Sequence, residues 1–280
     1  MVSRTSLKTK SPAISVLLPV YNAEEYVANV IESILQQTFA DFEFIIIDDY
    51  SSDKSWEIVK KYSKKDKRII ALKNKYNLGG CKTLNKGLKL ARGKYVARVD
   101  HDDWSYQDRL EKQFKFMELH SKVGIVGGIM EIINETGKVI GKRKYSLSDS
   151  EIRKRIFWYS PFSHPLVMIK KSILDKVGYY NPAYVPADDY ELYFRIGKES
   201  KFANLPDVLL QYRIIKSSMT YNLTRKMELA TFKVRSLYAK DKHYKMSKID
   251  QFLNVIQYFS FFIIPPRIRI SLFNLLRNTQ

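Results

Sequence analysis

Four short apolar runs in the first hundred residues, separated by stretches of helical spacing, constrain this chain more than any other feature. The runs are Ile14 to Val20, Phe42 to Asp48, Ile69 to Lys73 and Tyr95 to Asp100. They are rich in β-branched and aromatic residues and are nearly continuous, as expected of strands covered on both faces in a parallel sheet. Between them, Glu24 to Gln37 puts Val27, Val30, Ile31, Ile34 and Leu35 on one helical stripe. Ser55 to Tyr62 and Gly79 to Ala91 have similar spacing, and Gly93 stops the third helix. Strand–helix repetition of this kind predicts right-handed βαβ units on an open sheet. After Asp102 the rhythm changes. A helix is expected over Asp108 to His120, strand-like pieces at Gly124 to Ile133 and His164 to Ile169, a helix over Asp188 to Lys198 and a last strand at Val208 to Ile214.

Composition narrows the class. With 280 residues, 45% hydrophobic and 28% charged, and only eleven Gly and nine Pro, the chain is not a disordered tail, a collagen-like repeat or a disulfide-stapled miniprotein. The length suits one large α/β domain with an appendage, or two small domains. A formal charge of +19 favours polyanionic partners, whether nucleic acid, an acidic membrane surface or phosphorylated substrates. The single cysteine, Cys81, excludes an internal disulfide and a cysteine-built zinc site, and fits a reducing compartment. Ala13 to Val20 follows a basic start but contains Pro19 and leads into the polar Tyr21 to Glu25, so it reads as a buried strand rather than a signal core. No uninterrupted apolar run reaches the ~20 residues of a membrane-spanning helix, and a cytoplasmic protein is expected.

The final sixty residues differ from the rest: eleven Lys and Arg stand against three acids, a net +8. Within Phe252 to Ile264 only Asn254, Gln257 and Ser260 are polar, three apart along one narrow stripe; Pro265-Pro266 ends that helix, and Arg267 to Leu276 resumes an apolar face. Two readings stand. The basic, aromatic-rich helix lies in the interface of an anionic membrane, or a helical pair packs on the core or on a second copy in a homo-oligomer.

Open α/β sheets place ligands at the carboxyl ends of their strands, and acids gather there in this chain. The first strand ends in Pro19-Val-Tyr-Asn22 rather than a glycine-rich turn; no G-x-G-x-x-G follows a strand and no G-K-[ST] occurs, which argues against a nicotinamide Rossmann site and a P-loop. The second ends in Asp48-Asp49. One of these carboxylates can accept from a pyrimidine N–H with Tyr21 covering the base; alternatively Asp49 merely turns toward the helix at Ser55, a task open also to Ser51 and Asp53. The fourth runs into Asp100-His-Asp-Asp103. In extended chain, residues two apart share a face, so Asp100 and Asp102 would converge on one cation while His101 points away. Hard oxygen ligands suit Mg²⁺ or Mn²⁺ shared with a diphosphate. A surface turn rich in Asp is the alternative, but acids at the tip of a central strand cost electrostatic energy unless a cation neutralises them. Asp188-Asp189 opens a helix, where the dipole favours ionised carboxylates; this suits a base or a simple cap.

Several blocks occur in a telling order. They are Ser15-Val-Leu-Leu-Pro-Val-Tyr-Asn22, Ile45-Ile-Ile-Asp-Asp-Tyr-Ser-Ser-Asp53, Asn77-Leu-Gly79 with Leu84-Asn-Lys-Gly87, and Ala91-Arg-Gly-Lys-Tyr-Val-Ala-Arg-Val-Asp-His-Asp-Asp103. Arg109-Leu-Glu-Lys-Gln113, His164-Pro-Leu-Val-Met168 and Asp188-Asp-Tyr-Glu-Leu192 follow. From Ser15 to about Thr220 this resembles glycosyltransferase family 2, inverting enzymes of the GT-A fold. The resemblance implies a Rossmann-like, mixed but mainly parallel α/β sheet flanked by helices over residues 1–220, with 221–280 as a basic helical extension. It implies that Pro19, Tyr21, Asn22 and Asp49 hold the nucleotide base, most simply uracil, that Asp100 sits by the ribose and diphosphate, and that Asp102 with Asp100 ligates Mg²⁺ or Mn²⁺. Asp189 would be the general base on the acceptor hydroxyl, supported by Asp188.

The chain also departs from the family pattern. Thr83-Leu84-Asn85 stands where many relatives read Ala-Arg-Asn, leaving a phosphate-facing role to Lys82 or Arg98, unless Arg98 is structural. Tyr212-Arg-Ile-Ile215 lacks the histidine of Tyr-Arg-x-His, while Ile214 to Asn222 suits a mobile lid. His164 falls either in an acceptor site or in the core. The expected activity is transfer of one hexosyl or N-acetylhexosaminyl unit from a nucleotide-sugar, most simply a UDP-sugar, to a saccharide or lipid-linked acceptor in surface polysaccharide synthesis, at the cytoplasmic face of a membrane. Two rivals are weighed. A nucleotidyltransferase would need a glycine-rich basic turn where Val20 to Glu24 stands, and a nucleic-acid-binding protein is opposed by acids at the strand ends.

Overall fold

The computed structural model describes residues 11–214, 224–265 and 268–269. β1 (Ile14–Val20), β2 (Phe42–Asp48) and β3 (Ile69–Lys73) form where their apolar runs predict them, joined by α1 (Val27–Leu35) and α2 (Ser55–Ser63). α3 (Gly80–Leu90) then leads to β4 (Tyr95–Arg98). β1 pairs in parallel with both β2 and β4, and β2 with β3, so the order β3-β2-β1-β4 reverses direction beside β1. All seven residues of β2 are buried. Alternate side chains feed two cores. Val16, Leu18, Phe44 and Ile46 meet Val27, Ile31 and Ile34 of α1 on one face. Leu17, Ile45 and Ile47 meet Leu84 and Leu88 of α3 on the other. Each such buried side chain contributes about 1.5–3 kcal/mol of apolar transfer. Before β4, Gly93 is required by close approach: a Cβ there would lie 2.4 Å from the Ser15 nitrogen.

The second half extends the same sheet in mixed fashion. β5 (Trp104–Ser105), α4 (Arg109–Leu119), β6 (Val123–Ile133), β7 (Val139–Arg143) and α5 (Asp149–Arg155) follow, then β8 (Met168–Lys170), α6 (Lys171–Val177), α7 (Asp188–Glu199) and β9 (Lys201–Arg213). β8 runs antiparallel between β4 and β6, and β9 lies parallel to β6 and antiparallel to β5. Among the described residues the order is β3-β2-β1-β4-β8-β6-β9-β5, with β7 hairpinned on β6. The strand expected over His164 to Ile169 starts only at Met168, after a 3-10 turn at His164–Leu166; Pro165 has no N–H for a ladder. The strand expected from Val208 begins seven residues earlier, at Lys201. Pro206 sits where the β6–β9 register breaks between Asn204 and Val208, an interruption that accommodates the missing donor.

Two further helices, α8 (Thr224–Tyr238) and α9 (Lys248–Ile263), pack on this body. Tyr238 stacks on Phe194 of α7 with ring centroids 4.5 Å apart, and the Tyr244 hydroxyl donates to the Phe194 carbonyl at 2.8 Å. Ser247 and Asp250 form a capping box that starts α9. The apolar segment expected over Arg267 to Leu276 lies outside the described residues except for Ile268 and Arg269. No described helix is long and apolar enough to cross a membrane.

Candidate active site

The carboxyl ends of β1, β2 and β4 meet where the strand order reverses, and three loops are tied together there. Tyr21 is 48% exposed at the tip of β1, an aromatic face open to a ligand. Asn22 beside it adopts φ 47°, and its side-chain oxygen accepts from the Ser52 N–H at 3.0 Å, clipping the first loop to the second. Asp49 is buried after β2. Its Oδ1 accepts from Asn74 Nδ2 at 2.7 Å and from the Leu78 N–H at 2.8 Å, and its Oδ2 from the Gly79 N–H at 2.8 Å. Asp49 therefore fixes the third loop and does not cap α2; the Ser55 N–H donates instead to Asp53 Oδ1 at 3.0 Å. Asp48 lies behind it, 3.7 Å from Lys73 Nζ.

β4 ends at Arg98, so Asp100 to Asp103 form a turn rather than extended chain. The turn brings three carboxyl groups together: one oxygen each of Asp100, Asp102 and Asp103 lies within 4.8 Å of the others. Asp103 is an addition to the expected pair, because strand alternation would place it on the opposite face. Nor does His101 point away as strand geometry implies: its Nδ1 lies 3.9 Å from Asp102 Oδ1. Burial, then the charge of Asp100, pushes Asp102 above the usual carboxylate range. Asp103 stands well above it through burial and the charges of Asp102 and Asp100. One Asp103 oxygen accepts from the Arg213 N–H at 3.0 Å, while the other is buried without a partner. Three hard oxygen donors that repel one another are suited to a divalent cation such as Mg²⁺ or Mn²⁺.

Asp188 and Asp189 open α7, half-buried. Burial and the charge of Asp188 raise Asp189 to about 7, against the Tyr190 N–H that donates to it at 2.7 Å and the Arg98 charge, both of which favour the ionised form. Asp188 is raised chiefly by burial and accepts from the Cys81 thiol, which burial pushes up to about 12. Arg98 connects the two acidic sets. Its buried guanidinium pairs with Asp100 through Nη2, and its Nε and Nη1 have no protein partner. Its charge acts on Asp102 and Asp103 and also on Asp188 and Asp189. Both carboxylate groups thus border the region around one guanidinium.

A family model described as glycosyl transferase family 2 matches residues 15–178. The chain belongs to glycosyl transferase family 2. An uncharacterized glycosyltransferase of Methanocaldococcus jannaschii is 36% identical over 257 residues, 90% of this chain and 85% of that protein. A UDP-Glc:alpha-D-GlcNAc-diphosphoundecaprenol beta-1,3-glucosyltransferase of Escherichia coli, WfaP, is 30% identical over 82% of this chain and 88% of its own. Among solved structures, a mannosyltransferase of Pyrobaculum calidifontis in complex with GDP-Man and Mn2+ superposes with a TM-score of 0.64 at 19% identity, covering 83% of this chain and 66% of that one. The fold is the GT-A fold of such enzymes.

Within this family 2 chain, several motif residues turn out to hold the site rather than line it. Arg109 is fully buried and donates to the Arg98 carbonyl at 2.7 Å and to Ser105 Oγ at 2.9 Å, and burial lowers it to about 9. Gln113 donates to the Leu166 carbonyl at 2.7 Å, so the Arg109 to Gln113 block braces the tip of β4. Asn85 clamps the backbone of Tyr180, donating to its carbonyl at 2.7 Å and accepting from its N–H at 3.0 Å. Arg213 donates to the Asp102 carbonyl at 3.1 Å, anchoring the acidic turn. His164 Nε2 lies 2.8 Å from the Tyr180 hydroxyl, and burial with the Arg98 charge lowers its pKa well below the ordinary histidine range. Lys82 is exposed in the first turn of α3. Of the expected lid over Ile214 to Asn222, only Ile214 lies among the described residues.

Proposed function

We propose that this enzyme transfers a single hexosyl or N-acetylhexosaminyl unit, with inversion, from a UDP-sugar to a saccharide or lipid-linked saccharide in surface polysaccharide synthesis. Residues 1–220 carry the chemistry and 221–280 the extension. The observation that carries this reading is the cluster of Asp100, Asp102 and Asp103 beyond β4, paired through Asp100 to Arg98, whose charge also reaches Asp188 and Asp189. The lipid-diphosphate acceptor in the name of WfaP supports an acceptor of that class, and its UDP-Glc donor supports uracil as the base.

In this reading Tyr21 covers the base against the backbone of Pro19 and Asn22, while Asp49 holds the loop that closes the base site. Asp100, Asp102 and Asp103 hold Mg²⁺ or Mn²⁺, which when bound neutralises the charge developing on the departing diphosphate. The Mn2+ of the Pyrobaculum calidifontis complex supports a metal of this kind. Asp189, raised to about 7, is a base matched to neutral pH. It takes the proton of the acceptor hydroxyl as that oxygen attacks C1 of the donor and the bond to the diphosphate breaks on the opposite face. Asp188 raises the basicity of Asp189 by its charge. A lipid-linked acceptor would place the enzyme peripherally at the cytoplasmic face of a membrane.

A panel of nucleotide-sugars with Mn²⁺, Mg²⁺ or chelator tests this reading. A UDP-sugar at about a hundredfold excess over its Kd should stabilise the fold by about 2.7 kcal/mol, roughly 5 °C or more in Tm, only with the ion present. No shift from any nucleotide-sugar, beside tight binding of nucleic acid, would overturn it.

A further inference from the structure

The amphipathicity of α9 is inverted. The stripe of Asp250, Asn254, Gln257 and Ser260 faces the protein: the buried Arg235 of α8 donates to Asn254 Oδ1 at 2.9 Å and to Gln257 Oε1 at 2.7 Å. Asp250 at its start accepts from the Trp158 indole. Its end is equally fixed, because Arg269 donates to the Ser260 and Phe261 carbonyls at 3.1 and 2.9 Å and pairs with Glu228 of α8 at 2.6 Å. The helix is therefore bolted down by its polar stripe, and its large apolar side chains are turned to solvent. Phe252, Phe259, Phe262 and Ile263 are 64, 59, 65 and 79% exposed. A contiguous exposed face of this kind marks an interaction surface.

The charge around that face selects its partner. Lys245 and Lys248 are exposed at the start of α9, and Arg225 is exposed beside its far end, 5.9 Å from the Phe261 ring. The acids of this extension are spent internally: Glu228 on Arg269, Asp241 on Lys198 and His243, and Asp250 on Trp158 and the helix cap. A two-fold pairing of copies through α9 would set this basic surface against itself, since such an interface uses the same patch twice. An anionic bilayer offers the opposite charge together with an apolar layer for the rings.

We propose that the outward face of α9 seats in the interface of an anionic lipid bilayer, with its polar stripe bolting the rest of the protein to that surface. The proposal goes beyond sugar transfer and stands on this helix face and its charge alone. Flotation of the full chain with phosphatidylcholine vesicles, with and without phosphatidylglycerol, tests it. The wild type should float with the anionic vesicles. Phe259→Glu/Phe262→Glu should lower the bound fraction by about tenfold or more, with an unchanged Tm and an unchanged response to nucleotide-sugars that shows the fold intact. Lys245→Glu/Lys248→Glu should weaken flotation only on the anionic vesicles. Wild-type protein that stays in the soluble fraction, or a double-Glu phenylalanine variant that floats as well as the wild type, overturns the proposal. So does a dimer seen by light scattering without lipid that Phe259→Glu/Phe262→Glu dissolves, since a second copy then owns the face.

Discussion

Replacing Asp189 with Asn separates the chemistry of this carboxyl group from its energetics. In the folded chain its pKa is raised from 3.8 to about 7, chiefly by burial and then by Asp188. The folded state therefore holds a proton that the unfolded chain has released between these two values. Stability contributed by the protonated form is complete below about pH 4, falls as pH rises toward 7, and is gone above it. The full difference corresponds to about 4 kcal/mol. The carboxyl is half-buried at the mouth of α7, and screening by water reduces this to roughly 2 kcal/mol. An Asn side chain cannot ionise, so Asp189→Asn should melt higher than the wild type above pH 7, by about 4–8 °C, and the gap should close toward pH 4. Transfer should meanwhile fall by about 10²–10⁴, the usual share of a general base, with nucleotide binding nearly intact. Melting by scanning calorimetry from pH 4 to 8, with a radiolabelled sugar-transfer assay and titration of UDP, reads all three. Wild-type turnover in the Asn variant would remove the proposed base. A melting difference flat across pH would remove the burial argument.

Asp102→Asn should weaken metal-dependent donor binding by about tenfold or more, measured by calorimetric titration of a UDP-sugar with Mn²⁺; without metal the same variant should melt no lower than the wild type, because it relieves repulsion from Asp100 and Asp103. Gly93→Ala should cost about 1–3 kcal/mol through overpacking against Ser15, read as a lower denaturation midpoint with no direct effect on nucleotide affinity.

How far the sequence can be read depends on whether a feature is local. β1 and β2, buried on both faces, match their apolar runs to the residue because turn residues bound them sharply, and the half-exposed edge strand β3 matches its run as well. α1 begins at Val27, where no side chain caps it; this is the first residue of its stripe, three residues after the expected start at Glu24. β7 leaves no clear trace in the sequence because it is a hairpin strand with a half-exposed or exposed side chain at every position. α5 carries a readable signal, since Ser148 and Glu151 form a capping box, but its seven residues are too short to show a stripe. The acids at the strand ends are legible as a set. Asp103 is not, because alternation assumes that β4 continues past Arg98. The bracing roles of Arg109, Asn85 and Arg213 join residues far apart in the chain, and no spacing reveals them.

The charge arrangement around Arg98 bears on the order of binding in so basic a chain. Asp100, Asp102 and Asp103 cluster beside one guanidinium whose charge also reaches Asp188 and Asp189, so the local field is acidic although the molecule carries +19. A diphosphate brought alone to this region meets like charge from several carboxylates, and the free Nε and Nη1 of Arg98 are not enough to offset it. A divalent ion reverses that sign at the Asp102 end. The raised pKa of Asp189 stems chiefly from burial, then from the charge of Asp188. On this argument, affinity for the nucleotide-sugar should depend on the ion far more steeply than the basicity of Asp189 does.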